Sequence, residues 1–169
     1  MRHSHPKLLV GLSLPFALAF ALAWMVPSRP GPAAQTAEPP TYRPVTSDLM
    51  IAYIQPRHIK LWAAGSEGDW DYAGYEAHNI GGAFNRITTA IPVYKGMPNA
   101  DLTAAFVTPS LAMLDTAIKA KDKAAFTKAY DALTAGCNGC HQTTQHSFIV
   151  VKRPDASSFP DQDFTPQQQ

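Results

Sequence analysis

The chain is predicted to be all-α, and three observations carry that reading. Apolar residues recur at helical spacing from Ser47 to His141, Gly and Pro breaks together with the caps Asp69, Asn99 and Asp122 cut this stretch into four, and no strand alternation interrupts 45–145. Four helices with short connections imply an up-down-up-down four-helix bundle. An N-terminal export or anchor segment precedes it and an extended C-terminal arm follows.

The first helix is expected to start at Ser47 as its N-cap. It carries Leu49, Met50, Tyr53, Ile54, Leu61 and Trp62 and runs to Ala64, with Gly65 as its stop. Pro56 should kink it, because a proline deletes one backbone donor and crowds the preceding turn. After a loop at 65–69, Asp69 caps a second helix from Trp70 to Ile87, with Ala73, Ala77, Ile80 and Phe84 on its apolar stripe. The Gly81-Gly82 pair inside it marks a weak point or a close approach. Pro92, Gly96 and Pro98 mark a longer loop. Asn99 then caps a third helix to Ala120, broken or restarted at Pro109. Asp122 caps a fourth helix, which bears Phe126, Tyr130, Leu133, Cys137 and His141.

Residues 1–26 read as a signal peptide or N-terminal membrane anchor. Arg2 and Lys7 precede a stretch, 8–26, that contains no charge and approaches the length of a spanning helix. Both readings put the remainder outside the cytoplasm, so a periplasmic location is expected, either soluble or anchored through 8–26. Residues 27–44 are rich in Pro and form a linker with no packed core. Residues 45–169 hold the helical domain and its arm. Arg2, Lys7 and Arg29 are the only charged residues before Glu38, so the rest of the chain carries 11 basic and 13 acidic side chains. That balance argues against a nucleic-acid partner, which needs a clustered basic face.

The two cysteines stand three apart, too close to staple a fold, so their role is chemical. They belong to the run Cys137-Asn138-Gly139-Cys140-His141. On a helix, thiols at i and i+3 can each add to one haem vinyl group, while the His at i+4 on the same face directs a ring nitrogen to the iron. Three other readings compete. A thioredoxin-type pair belongs at the start of a helix after a strand, whereas this motif lies late in a helix. A structural zinc needs two more ligands, and His146 alone is a poor supply. A bare disulfide leaves His141 unexplained. The motif therefore implies one covalently attached haem c.

A helical bundle with this motif near the end of its last helix resembles the class II cytochromes c, the cytochrome c′ group and its low-spin relatives, over roughly residues 46–146. The resemblance implies that Cys137 and Cys140 form the thioethers and that His141 is the proximal iron ligand. Two departures from the family pattern stand out. Thr143, Thr144 and Gln145 follow the motif where a basic residue is usual, and the tail is longer.

The opposite iron position separates an electron carrier from a gas binder. The bundle sets the start of the first helix beside the end of the fourth, which places Met50 near the level of His141. Met97, in the loop at that end, is the second choice. His58 lies roughly 12 Å further along than Met50, His78 is similarly displaced, and Met113 falls at the wrong end. A methionine sulfur favours a low-spin iron suited to one-electron transfer. Without a haem, Met50 reads as core. Trp62, Trp70, Tyr72 and Tyr75 read as interhelical packing, and the lysines at 119, 121, 123 and 128 as a solvated face. The apolar run 148–151 is expected to pack against the bundle near the haem, bringing Lys152 and Arg153 towards the propionates. The expected function is an exported monohaem cytochrome, not an enzyme, that carries single electrons between redox partner proteins. The alternative is a five-coordinate haem protein that binds NO or CO.

Overall fold

The computed structural model describes residues 42–156 and 158–167. The apolar segment 8–26 and the linker up to residue 41 lie outside them. Among the described residues the chain is mostly helical, with one short hairpin. None of their helices is long and apolar enough to cross a membrane.

The first helical run is α1 (Thr46–Leu49), a π-helical turn (Met50–Ile54) and α2 (Gln55–Glu67). The effect of Pro56 takes the form of that π turn. A proline offers no N–H and its ring crowds the carbonyl four residues back, here that of Ala52. The turn just ahead of it widens, so that the Gln55 N–H donates to the Met50 carbonyl, five residues back. Ser47 is not the cap. The helix begins at Thr46, preceded by Val45, with no side chain capping it. Gly65 is not the stop either, and the segment expected as a loop is helical to Glu67. The helix ends at Gly68, whose φ of 84° lets the N–H groups of Gly68 and Asp69 donate to the carbonyls of Gly65 and Ala64 (3.3 and 3.0 Å). Gly65 instead faces Phe126, whose ring occupies the place a Cβ would take.

Asp69 caps α3 (Trp70–Ala90), accepting from the Tyr72 N–H at 3.0 Å. The helix runs straight through Gly81-Gly82. Next come β1 (Val93–Tyr94) and β2 (Met97–Pro98), paired antiparallel with Tyr94 opposite Met97. Lys95 and Gly96 join them with φ of 51° and 80°, the two positive values a type I′ turn requires. Strands of two residues are too short to show alternation in a sequence, which is why this stretch reads as a loop. Asn99 closes the base of the hairpin rather than capping the helix: its side-chain amide donates to the Ile91 carbonyl (2.5 Å) and its N–H to the Pro92 carbonyl (2.8 Å).

The third helix is broken where Pro109 indicates, into α4 (Asn99–Phe106) and α5 (Thr108–Lys119). Asp122 caps α6 (Lys123–Thr143) by accepting from the N–H groups of Ala124 and Ala125 at 2.9 and 3.0 Å. α2 packs on α3, α3 on α5, and α5 on α6. α2 also lies antiparallel to α6: Gly65 meets Phe126, Trp62 meets Phe126 and Tyr130, and His58 meets Tyr130 and Thr134. Leu61, Ile80, Leu114, Phe126, Tyr130 and Leu133 fill the core between these helices, each nearly inaccessible to water.

Beyond α6 the arm crosses back over α6 and α2 to the start of α3. Arg153 donates to both carboxylate oxygens of Asp131 and lies 4.5 Å over the Trp62 ring. Lys60 sits 4.5 Å over Phe159. Phe164 is buried and stacks on Tyr72 at 5.6 Å, almost parallel. The four residues 148–151 depart from expectation. Phe148, Ile149 and Val150 are 79%, 45% and 76% exposed, so this stretch is held by hydrogen bonds and not by burial.

Candidate haem-attachment site

The last two turns of α6 carry Cys137, Cys140 and His141 on one face. Two glycines of this stretch are explained by α4. A Cβ on Gly136 would strike the Phe106 carbonyl, and one on Gly139 would stand 2.9 Å from the Phe106 ring. Gly139, inside the motif, is therefore where the end of α4 comes against α6.

α6 closes through a left-handed residue, Gln145, at φ 65°. Gln145 donates to the Gln142 carbonyl (3.3 Å) and His146 to the His141 carbonyl (2.7 Å), and the chain reverses. The His146 ring then shares a 3.2 Å hydrogen bond with the Tyr94 hydroxyl, which fastens the β-hairpin to this end of α6. The reversed chain runs back along the helix it has left. Asn138 binds it twice, donating to the Val151 carbonyl at 2.8 Å and accepting from the Val151 N–H at 2.7 Å. Two such bonds contribute about 1 kcal/mol each, which offsets the ordering of only one or two residues at about 1–2 kcal/mol apiece.

In this arrangement the Ile149 carbonyl lies 3.0 Å from His141 Nδ1. A carbonyl only accepts, so Nδ1 carries the proton and in the neutral ring Nε2 keeps its lone pair. The ring is partly exposed. Both cysteines are free thiols. Burial pushes the Cys137 thiol up to about 12, with neighbouring Cys140 adding to the rise, and burial also raises Cys140. Neither has the lowered pKa of a redox-active pair.

The other candidates fall as follows. Met50 opens the π turn, half-buried against the core. Met97 lies on β2, partly buried, next to the Tyr94 that holds His146. His58 is buried with both ring nitrogens engaged, Nδ1 by the Tyr130 hydroxyl (2.8 Å) and Nε2 by Thr134 Oγ1 (3.0 Å), and burial lowers its pKa to about 4. His78 is exposed, and Met113 is exposed on α5. Lys152 pairs with Asp155, and Arg153 is taken up by Asp131 and Trp62. Asp131 stands ten residues before His141, about 15 Å along α6. Lys123 begins α6 about 27 Å from His141, and Lys119 pairs with Asp115 at 2.7 Å. Among the described residues no group of three or more His, Cys, Asp or Glu side chains gathers as a metal site.

Reading the sequence missed the Ile149 carbonyl and Asn138. The first is a backbone atom placed by a chain reversal and has no sequence signal. The second had one, a polar residue inside the motif with no assigned duty. No family model matches the chain, and no curated protein or solved structure matches it either.

Proposed function

We propose that this chain is an exported, periplasmic monohaem c-type cytochrome that passes single electrons between redox partner proteins, without catalysing a reaction of its own. The observation that carries the reading is the state of His141. Its Nδ1–H is committed to the Ile149 carbonyl and its Nε2 is left as a donor, one residue from one free thiol and four from another. This donor set fits haem c: two thiols for the vinyl groups and an imidazole whose tautomer is fixed by a backbone acceptor. The raised thiol pKa values count against a thiol-redox role. The helices are read as an up-down-up-down four-helix bundle, supported by the packing of α2 on α3, α3 on α5, α5 on α6 and α6 on α2. This architecture, with the motif late in the last helix, is the ground for likening the chain to the class II cytochromes c.

Cys137 and Cys140 would hold the haem, with His141 on the iron. A bound haem supplies a one-electron couple; the chain's part is to keep water away and set the ligands. Met50 is the reading for the second iron ligand. The antiparallel pairing supports it: His58 meets Thr134, so Met50, eight residues before His58, falls opposite the residues seven or eight past Thr134, at His141. The π turn that opens at Met50 adds a second point, since such turns recur at functional sites.

An optical spectrum of the purified protein tests this. A low-spin ferrous spectrum is expected, and Met50→Ala should make it high-spin and open the iron to CO. A wild type already high-spin and quick to bind CO would move the function to gas binding. Replacing Cys137 and Cys140 together with Ala should abolish haem staining on a denaturing gel. A wild type with no Soret band would end the haem reading.

A further inference from the structure

We infer that Asn138 is a positioning residue for the iron ligand: its paired hydrogen bonds to Val151 hold the returning arm where the Ile149 carbonyl captures the His141 Nδ1–H. The inference rests on the haem reading for its purpose and on the chain alone for its geometry. Three observations carry it. The arm between Ser147 and Val151 is not held by apolar burial, since Phe148 and Val150 are 79% and 76% exposed. Its direction is set behind Ile149 by the reversal at Gln145 and the turn that bonds the Ile149 N–H to the His146 carbonyl at 2.8 Å. Ahead of Ile149 the nearest tether is Asn138, which takes both the N–H and the carbonyl of Val151, two residues on. The Arg153–Asp131 pair comes later and lies on exposed side chains.

Asn138 also stands three residues before His141 on α6, so clasp and ring share one helical face. An outer partner that fixes the tautomer of a metal-binding histidine orients the ring and strengthens its free nitrogen as a donor. Here that partner is a backbone carbonyl, and a backbone carbonyl on an arm is only as well placed as the arm. The polar residue inside the Cys-x-x-Cys-His run thereby becomes part of the ligand's support.

The experiment uses the full chain, with and without haem, as wild type, Asn138→Ala, Asn138→Asp and Val151→Pro. In the haem-free protein, nitrogen NMR of the histidine rings reads the His141 tautomer, and the buried His58 ring reports whether the fold is intact. Wild type should show one tautomer, protonated at Nδ1 with slowed exchange. Asn138→Ala should give mixed tautomers and fast exchange with His58 unchanged. Asn138→Asp keeps the acceptor for the Val151 N–H and loses the donor, so it should fall between. Val151→Pro removes the N–H from the other side but keeps the Val151 carbonyl, so it too should fall between wild type and Asn138→Ala. It also serves where that variant fails to fold. In the haem-loaded protein the same variants should shift the reduction potential while the thioether attachment survives. A folded Asn138→Ala or Val151→Pro with the wild-type His141 tautomer overturns the inference. Haem staining of wild type is read separately, so loss of the haem reading and loss of the clasp are told apart.

Discussion

Gln145 holds φ 65° at the end of α6, a backbone state that costs a residue with a Cβ about 1–2 kcal/mol and glycine almost nothing. Gln145→Gly should therefore raise stability by up to about 1 kcal/mol, read as a higher urea midpoint with an unchanged slope. Gly136 is the opposite case. Its missing side chain is where the Phe106 carbonyl sits, and a backbone atom cannot swing aside. Gly136→Ala should cost about 1–3 kcal/mol by overpacking, and a midpoint equal to wild type would show that α4 does not press on α6 there. Gly139→Ala meets only a ring edge and should cost less. Gly136 and Gly65 have no turn to make. Their signal in the sequence is silent about which neighbour they admit, and Gly65 is misread as a stop for that reason.

Between α2 and α6 lies a buried polar cage around His58. Thr134 donates to the Tyr130 carbonyl (3.0 Å) and the Tyr130 hydroxyl to the His58 carbonyl (2.9 Å). With both hydroxyl protons so placed, the oxygens can accept from both ring nitrogens, which suits a protonated ring. Burial works against that charge and wins, lowering the pKa from 6.5 to about 4. The unfolded chain takes a proton below about pH 6.5 that the folded ring refuses until about pH 4. The unfolded state thus binds more protons, and stability falls as pH falls through that window. The loss should approach about 3 kcal/mol by pH 4, measured as urea stability against pH. His58→Asn should flatten that slope, and parallel curves for the two proteins would sink the account. The arm makes a separate contribution. Truncation after Ser147 removes the buried Phe164, worth about 1.5–3 kcal/mol, together with the Asn138 clasp. It should lower the thermal midpoint and, in the haem-loaded protein, shift the potential. An unchanged midpoint would reduce the arm to a tail.

For the whole molecule, the two ends of α6 have different surroundings. Lys119, Lys121, Lys123 and Lys128 are exposed at the start of α6 and just before it, and Lys123 and Lys128 stand about 27 and about 20 Å along α6 from His141. A partner that exchanges electrons through the motif would approach the other end, where α6, the β-hairpin and the arm meet at His146. Neutralising the four lysines together should therefore leave the rate of electron exchange with an acidic redox protein unchanged at moderate salt, as measured by stopped flow. A large drop would relocate the docking face.

The helices, their breaks at Pro109 and their caps at Asp69 and Asp122 were legible in the sequence, because each rests on a local rule: apolar spacing, a missing N–H, a carboxylate within reach of free amides. The Cys137-Asn138-Gly139-Cys140-His141 run was legible for the same reason, as spacing on one helix. What the sequence could not carry depends on residues far apart in the chain. Gly65 and Gly136 took their meaning from Phe126 and Phe106, and His58 from Tyr130 and Thr134. The 148–151 run looked apolar enough to bury itself, yet its position follows from a left-handed residue at 145 and a two-bond clasp at Asn138. A hydrogen bond between a backbone carbonyl and a ring nitrogen eight residues earlier leaves no mark on composition or periodicity. Only the folded chain brings Ile149 to His141.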